Sequence, residues 1–462
     1  MKLCLALFFL LPIFLSAAKR PNVVIIYSDD QGWMDTGYQS GGAFQTPALD
    51  RMVEQGMLFT NAYANAANCQ PSRACLLSGN YTPRHHVFAV TSTNRGPKDR
   101  MRLVPTQNRD GLTIDDITIA DALRSAGYAT GHFGKWHLYN KTGSKSPSGG
   151  GALPSQQGFD VTYDSFGEGE LPEGAKGNFP GPQSDPKGVF DLSKQACDFM
   201  EKNKAEPFFV YLAHHAPHGP VNSRKSTRKK IPDPYNACVY DLDESVNRVL
   251  AKIKELGIEK NTLVIYTSDN GGCVNPQNPL RGEKGMYYEG GIRVPMIALW
   301  PGVIEPGSIC DTPIMQIDLF PTCLRLAEYS IKKELDGINL LPLFKQNRKL
   351  NRSSIFWHMP GYLDRSKPGA RDKYFRTRPV SVIRKGKWKL HLYLEEWILD
   401  GGMEKIDSNR AVELYNLEKD ISENDDLALE KKNIRDELIA DLLAWHSEVN
   451  APLPTPKKLV KK

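Results

Sequence analysis

Asn22-Val-Val-Ile-Ile-Tyr-Ser28, running directly into Asp29-Asp30, is the stretch on which the fold is read. It has no polar alternation, so both of its faces must be buried, as in a strand inside a parallel sheet covered by helices. Three similar runs follow: Phe208 to Ala213 (FFVYLA), Leu263 to Ser268 (LVIYTS) and Met296 to Trp300 (MIALW). Helical periodicity lies between them, over Ile117 to Ala126, Tyr240 to Leu256 and Asp318 to Ala327. Strands alternating with helices predict an α/β fold: a large mixed, mostly parallel sheet flanked by helices. Ligands of such sheets collect beyond the strands' carboxyl ends. Asp29 and Asp30 after the first run, and Asp269 and Asn270 after the third, are therefore candidate site residues.

The segment from Lys141 to Pro186 is rich in Gly, Ser and Pro and predicts a long surface excursion. Composition shifts again near Lys345 to Arg352. Beyond it, Val380 to Leu394 predicts a hairpin turning near Lys385-Gly386, and Leu427 to Val449 predicts an amphipathic helix. We therefore expect a main α/β domain over residues 19–350 and a smaller C-terminal α+β subdomain, containing an antiparallel sheet, over 351–462. At the other end, Lys2 precedes an apolar run from Leu3 to Leu15 that closes on Ser16-Ala17-Ala18. This predicts a signal peptide over residues 1–18, cleaved after Ala18, and a secreted or periplasmic protein. The run is too short for a stable membrane span. Of eight cysteines, Cys4 falls in the leader. Cys75, Cys197, Cys238, Cys273, Cys310 and Cys323 permit disulfides or buried thiols, and spacing alone chooses no pairing.

The 462 residues carry 40% hydrophobic and 24% charged side chains with a formal net charge of +6. That balance is ordinary for a globular protein and agrees with an anionic substrate. No basic motif interleaved with aromatics supports nucleic-acid binding.

Asn68 to Gly79 reads NCQPSRACLLSG and contains Cys69-x-Pro71-x-Arg73. Pro71 suits the first position of a helix, which places Cys69 at the helix mouth, where free N–H groups favour an anion or thiolate. Arg73 follows within the first turn. Downstream stand Gly134-Lys135-Trp-His137, His215-Ala-Pro-His218, Arg281-Gly-Glu-Lys284-Gly, Glu289-Gly-Gly-Ile-Arg-Val-Pro295 and the segment Glu413 to Asp426. In this order and around this cysteine, the set resembles the type I, formylglycine-dependent sulfatases of the alkaline phosphatase superfamily. The resemblance spans Pro21 to about Asp426, with no departure at the motif positions.

The resemblance implies a sulfuric ester hydrolase whose Cys69 is oxidised to formylglycine (3-oxoalanine) by a formylglycine-generating enzyme. Arg73 matches the arginine that holds that residue. Asp29, Asp30, Asp269, Asn270 and the modified Cys69 would ligate one metal ion. Hard oxygen donors suit Ca²⁺, our choice, with Mg²⁺ second. Read alone, Asp-Asp is equally a turn or helix cap and Asp-Asn-Gly-Gly an ordinary turn. Arg73, Lys135 and Lys284 would hold the sulfuryl oxygens while one hydroxyl of the hydrated aldehyde attacks sulfur. His218 or Lys284 would protonate the departing alcohol, and His137 would help the second hydroxyl lose its proton so that sulfate leaves.

Two other readings share these residues: a formylglycine-dependent phosphonate monoester or phosphodiester hydrolase, and a secreted glycan-binding relative that never acquires the aldehyde. The expected substrate is a sulfated carbohydrate, with aryl sulfates as the simpler case. His85 and His86 read as packing or as pocket rim. Phe356-Trp-His358 reads as a sugar-stacking group or as core. Arg224, Lys225, Arg228, Lys229 and Lys230 read as a solvated loop or as a patch steering a polyanion.

Overall fold

The computed structural model describes residues 20–139, 151–164, 181–345 and 350–457. The expected leader, most of the excursion from Lys141 to Pro186 and the last five residues lie outside them. Strand Asn22–Asp29 is buried along its whole length and sits inside an eight-stranded sheet. The strand order is Ser308–Cys310, Met57–Phe59, Met296–Leu299, Thr262–Ser268, Asn22–Asp29, Phe208–Pro217, Ala129–Gly134, Val161–Tyr163. Asn22–Asp29 pairs in parallel with both neighbours, Val23 facing Leu263 on one side and Phe209 on the other.

The absence of polar alternation has its cause here. Val23, Ile25 and Tyr27 enter one apolar layer with Phe209, Tyr211, Ile265 and Leu319. Val24 and Ile26 enter the opposite layer with Val210, Leu212, Phe199, Val246 and Val249. Each fully buried Val or Ile contributes about 1.5–3 kcal/mol, so a polar residue at any of these positions would weaken a whole layer.

The run at Met296 departs from the parallel pattern: Met296–Leu299 is antiparallel to both Thr262–Ser268 and Met57–Phe59. The chain leaves the carboxyl end of Thr262–Ser268 and spends residues 269–295 there, with only the four-residue helix Glu289–Ile292. Without a crossover helix to carry it to the far edge, it re-enters the sheet from the same side.

The C-terminal region forms a separate four-stranded antiparallel sheet, in the order Ser354–Met359, Val380–Lys385, Trp388–Tyr393, Val412–Asn416. The hairpin turns at Lys385-Gly386, where Gly386 has φ 57°. Helix Lys432–Glu448 packs Leu438, Ile439, Leu442 and Trp445 onto this sheet. It begins later than Leu427 because Asp426 Oδ1 accepts the N–H groups of Leu414 (3.0 Å) and Ala428 (2.9 Å), which holds the preceding residues in turns.

Trp357 is core: its Nε1 donates to Ala64 O at 2.8 Å, and Phe356 stacks on Trp445 with ring centroids 4.7 Å apart. His85 is packing too, buried with Nε2 3.3 Å from Cys75 Sγ. Among the described residues the seven cysteines are all free thiols.

Candidate active site

Helix Cys69–Ser78 is buried at all ten positions. Its first intrahelical bond runs from Ser72 N–H to Asn68 O at 3.2 Å, so Asn68 is the cap and Cys69 the first helical residue. Pro71 therefore stands third rather than first. Its missing N–H costs nothing there, because none of the first-turn N–H groups has a partner within the helix. Gly79, at φ 70°, ends the helix, and a side chain at that position would meet Phe320 and Leu335 at under 3 Å.

Arg73 points inward from the second turn and is fully buried. Its Nη2 donates to Asp269 Oδ2 at 2.8 Å and its Nη1 to Lys135 O at 3.0 Å, with the Tyr27 ring 5.2 Å from the guanidinium carbon. One side chain thus ties the cysteine helix to the ends of two strands.

Asp29 and Asp30 would point to opposite faces if the strand continued. It does not: pairing with Phe208–Pro217 slips between Tyr27 and Asp29, and Asp30 takes a left-handed φ of 62°. Asp30 N–H then donates to Asp269 Oδ1 at 3.0 Å, and Asn270 Nδ2 donates to Asp30 Oδ1 at 2.9 Å. Ligand atoms of Asp29, Cys69 and Asp269 all lie within 4.8 Å of one another. Burial raises the Asp29 carboxyl, but Lys135, His218 and Arg73 together outweigh it and hold the group well below the usual range. Asp269 is pushed well above that range by burial and by Asp29, despite Arg73. This corner is therefore crowded with negative charge. Asp29 Oδ1 and Asn270 Oδ1, both buried, receive no hydrogen bond. Hard oxygens without donors beside a carboxyl short of positive charge fit a Ca²⁺ or Mg²⁺ ion.

Cations face these acids. Lys135 Nζ lies 2.6 Å from Asp29 Oδ2, and Lys284 Nζ 2.6 Å from Asp30 Oδ1. His218 Nε2 is 3.5 Å from Asp30 Oδ2, and His215 Nε2 3.8 Å from Asp29 Oδ2. His137, two residues beyond Lys135, has a left-handed φ of 62°. Burial, with Lys135 and Arg73 adding repulsion, holds its imidazole well below the usual range, so it is neutral.

Two residues at the site had no role in the sequence reading. Lys187 Nζ contacts His215 Nδ1 at 3.2 Å and donates to His218 O at 2.7 Å and Pro220 O at 3.2 Å. It positions both histidines from a remote segment, and no local pattern announces it. Cys273 Sγ donates to Asp30 Oδ2 at 3.2 Å. Its place four residues after Asp269 was the available signal.

The segment bearing Lys284 is held by the C-terminal sheet. Glu289 and Glu423, both buried, share Lys389, whose Nζ lies 2.9 Å from each carboxylate. Glu289 also bonds Tyr63 OH at 2.8 Å and pairs with Arg293 at 3.3 Å.

The chain is similar to known proteins in sequence and in fold. The sulfatase family model matches residues 21–329, and the model for the C-terminal part of N-sulphoglucosamine sulphohydrolase matches 282–446. A sulfatase of Formosa agariphila is 31% identical, covering 96% of this chain and 93% of its own. Human arylsulfatase A is 32% identical over 89% of this chain and 84% of its own, and mouse N-acetylgalactosamine-6-sulfatase 30% over 82% and 73%. Among solved structures, Ps i-CgsB in complex with k-i-k-neocarrahexaose superposes with a TM-score of 0.73 at 25% identity, covering 95% of this chain and 96% of that one. With a family model covering well over half its length and relatives aligned over most of theirs, the chain belongs to the sulfatase family and is a sulfuric ester hydrolase.

Proposed function

We propose that the chain is a secreted or periplasmic sulfatase that hydrolyses sulfate esters of a glycan, using one Ca²⁺ and a formylglycine made from Cys69 by a formylglycine-generating enzyme. The observation that carries this reading is convergence: acids and cations from four separate strand ends meet around the mouth of the Cys69 helix. The sugar-sulfate relatives and the carrahexaose complex support a glycan substrate. Residues 19–350 would form the catalytic domain, and 351–462 the subdomain that supports the Lys284 segment. Secretion rests on the leader, which lies outside the described residues. No described helix is long and apolar enough to cross a membrane.

Asp29, Asp30, Asp269, Asn270 and residue 69 would hold the ion, which would polarise oxygen and offset sulfate charge when bound. A formylglycine at residue 69 would, as its hydrate, supply a hydroxyl nucleophile for sulfur and a second hydroxyl through which the aldehyde C=O re-forms as sulfate leaves. Arg73, Lys135 and Lys284 stabilise the charge on the sulfuryl oxygens from fixed positions. His218 donates a proton to the leaving alcohol. Its Nδ1 lies 2.6 Å from Gly219 O. A carbonyl can only accept, so Nδ1 carries a hydrogen and Nε2 is the atom that exchanges the proton. His137, neutral in its buried position, takes the proton of the second hydroxyl.

Two measurements test the reading together: the mass of the peptide carrying residue 69, and sulfate release from a panel of sulfated saccharides, aryl sulfates and phosphate diesters. Cys69→Ser should fold normally yet lose activity by roughly three orders of magnitude or more, since it removes the nucleophile. Full activity with an unmodified Cys69, or faster turnover of diesters than of any sulfate ester, would refute the reading.

A further inference from the structure

Both ends of the segment between His218 and Tyr235 are pinned at the acidic centre. His218 Nε2 is 3.5 Å from Asp30 Oδ2, while Tyr235 OH donates to Asp30 O at 3.3 Å and to Asp35 Oδ2 at 2.6 Å. Between them the chain forms the short helix Lys225–Lys230 (KSTRKK). Its apolar contribution is slight, since Thr227 is its only buried residue. Six residues do not hold a helix by themselves, least of all when four are cationic.

A buried acid supplies the anchor. Asp241 accepts from Arg224 N at 2.8 Å, Arg224 Nε at 2.9 Å and Thr227 Oγ1 at 2.6 Å. Arg224 also pairs with Glu244 and covers the Phe190 ring at 4.2 Å. Asp241 and Glu244 are thereby engaged by Arg224. Among the described residues no ion pair involves Lys225, Arg228, Lys229 or Lys230. Arg228 Nη1 is closed off from solvent and has no hydrogen-bond partner among them. The fold thus commits a buried carboxylate to anchoring a short helix that carries four cations. Four residues separate Lys230 from Tyr235, so five steps of about 3.5 Å keep the near end of the patch within roughly 17 Å of the Tyr235 backbone, a few sugar units away.

We propose that Lys225, Arg228, Lys229 and Lys230 form an exosite that holds the sulfate or carboxylate groups flanking the ester under attack on a polyanionic glycan. This rests on the sulfatase reading and narrows its substrate to a multiply charged chain. Fixed cations beside a reaction centre raise the local concentration of a polyanion and speed its capture, strongly at low salt.

The test uses the full chain with Lys225, Lys229 and Lys230 replaced by alanine, and a second variant with the same three replaced by arginine. Binding to dextran sulfate, polygalacturonate and duplex DNA is measured by calorimetry at low and physiological salt, without turnover. Sulfate release is compared on a sulfated polysaccharide and an aryl sulfate. For the alanine variant we expect Kd for dextran sulfate to rise about ten-fold at low salt, with a flatter salt dependence. The polymer-to-aryl ratio of kcat/KM should fall by a similar factor, and the arginine variant should behave as wild type. Relative affinities for dextran sulfate and polygalacturonate tell whether sulfate or carboxylate is preferred. Unchanged binding in the alanine variant, equal loss in the arginine variant, or preference for DNA over both polymers would overturn the exosite. If wild type releases no sulfate from any ester, the sulfatase reading fails separately, because the binding arm does not depend on catalysis.

Discussion

Lys389→Met is expected to destabilise the protein by an amount that grows with pH. Lys389 is one cation facing two buried carboxylates, 2.9 Å from each. Once it is removed, Glu289 still has Arg293 and the Tyr63 hydroxyl. Among the described residues Glu423 keeps the Glu289 N–H at 2.6 Å and His391 at 3.3 Å, whose imidazole is lowered first by burial, which the substitution leaves in place. Burial already pushes Glu423 up to about 7 with Lys389 present, so in the variant this carboxyl stays protonated to higher pH. A raised carboxyl pKa contributes stability that is present below the unfolded value and lost as pH rises through the folded one. Wild type completes that loss near pH 7, while the variant goes on losing about 1.4 kcal/mol per pH unit above it. Breaking the buried pairs costs about 3 kcal/mol at pH 6. By pH 8.5 the deficit should be about 2 kcal/mol larger. Denaturant unfolding of both proteins at the two pH values, followed by tryptophan fluorescence, measures the difference. A deficit equal at both, or larger at pH 6, would refute this account of the network.

Two further outcomes concern the site. Lys187→Met removes the donor to His218 O and Pro220 O, so sulfate esters with poor leaving groups should lose roughly ten- to a hundred-fold in kcat as proton donation fails. Nitrophenyl sulfate, whose leaving group needs little protonation, should lose far less, and an equal loss on both would remove His218 as the acid. Chelation with EGTA should abolish activity and lower the Tm of wild type. Ca²⁺ should restore both better than Mg²⁺, and Asp269→Asn should show no Tm response to either ion.

Much of this protein was legible in one dimension. Strand Asn22–Asp29 was readable because burial on both faces leaves no polar position, a property that survives without any knowledge of neighbours. The hairpin at Lys385-Gly386 was readable because alternation and a turn glycine are local. Candidate site residues could be named because two acidic pairs follow strand-like runs and the remaining motifs resemble those of a known family in the same order.

What depends on distant partners was not readable. Met296–Leu299 looks like any parallel core strand, and only the missing crossover reverses it. Trp357 is as apolar as a sugar platform, and only its bond to Ala64 O places it in the core. Lys187 has no sequence neighbour at the site it serves. The sequence by itself determined which residues must be buried and which carry charge or nucleophilicity, since these follow from side-chain type. The tertiary structure alone decided which of them meet, because contacts between residues tens to hundreds of positions apart leave no period in the chain.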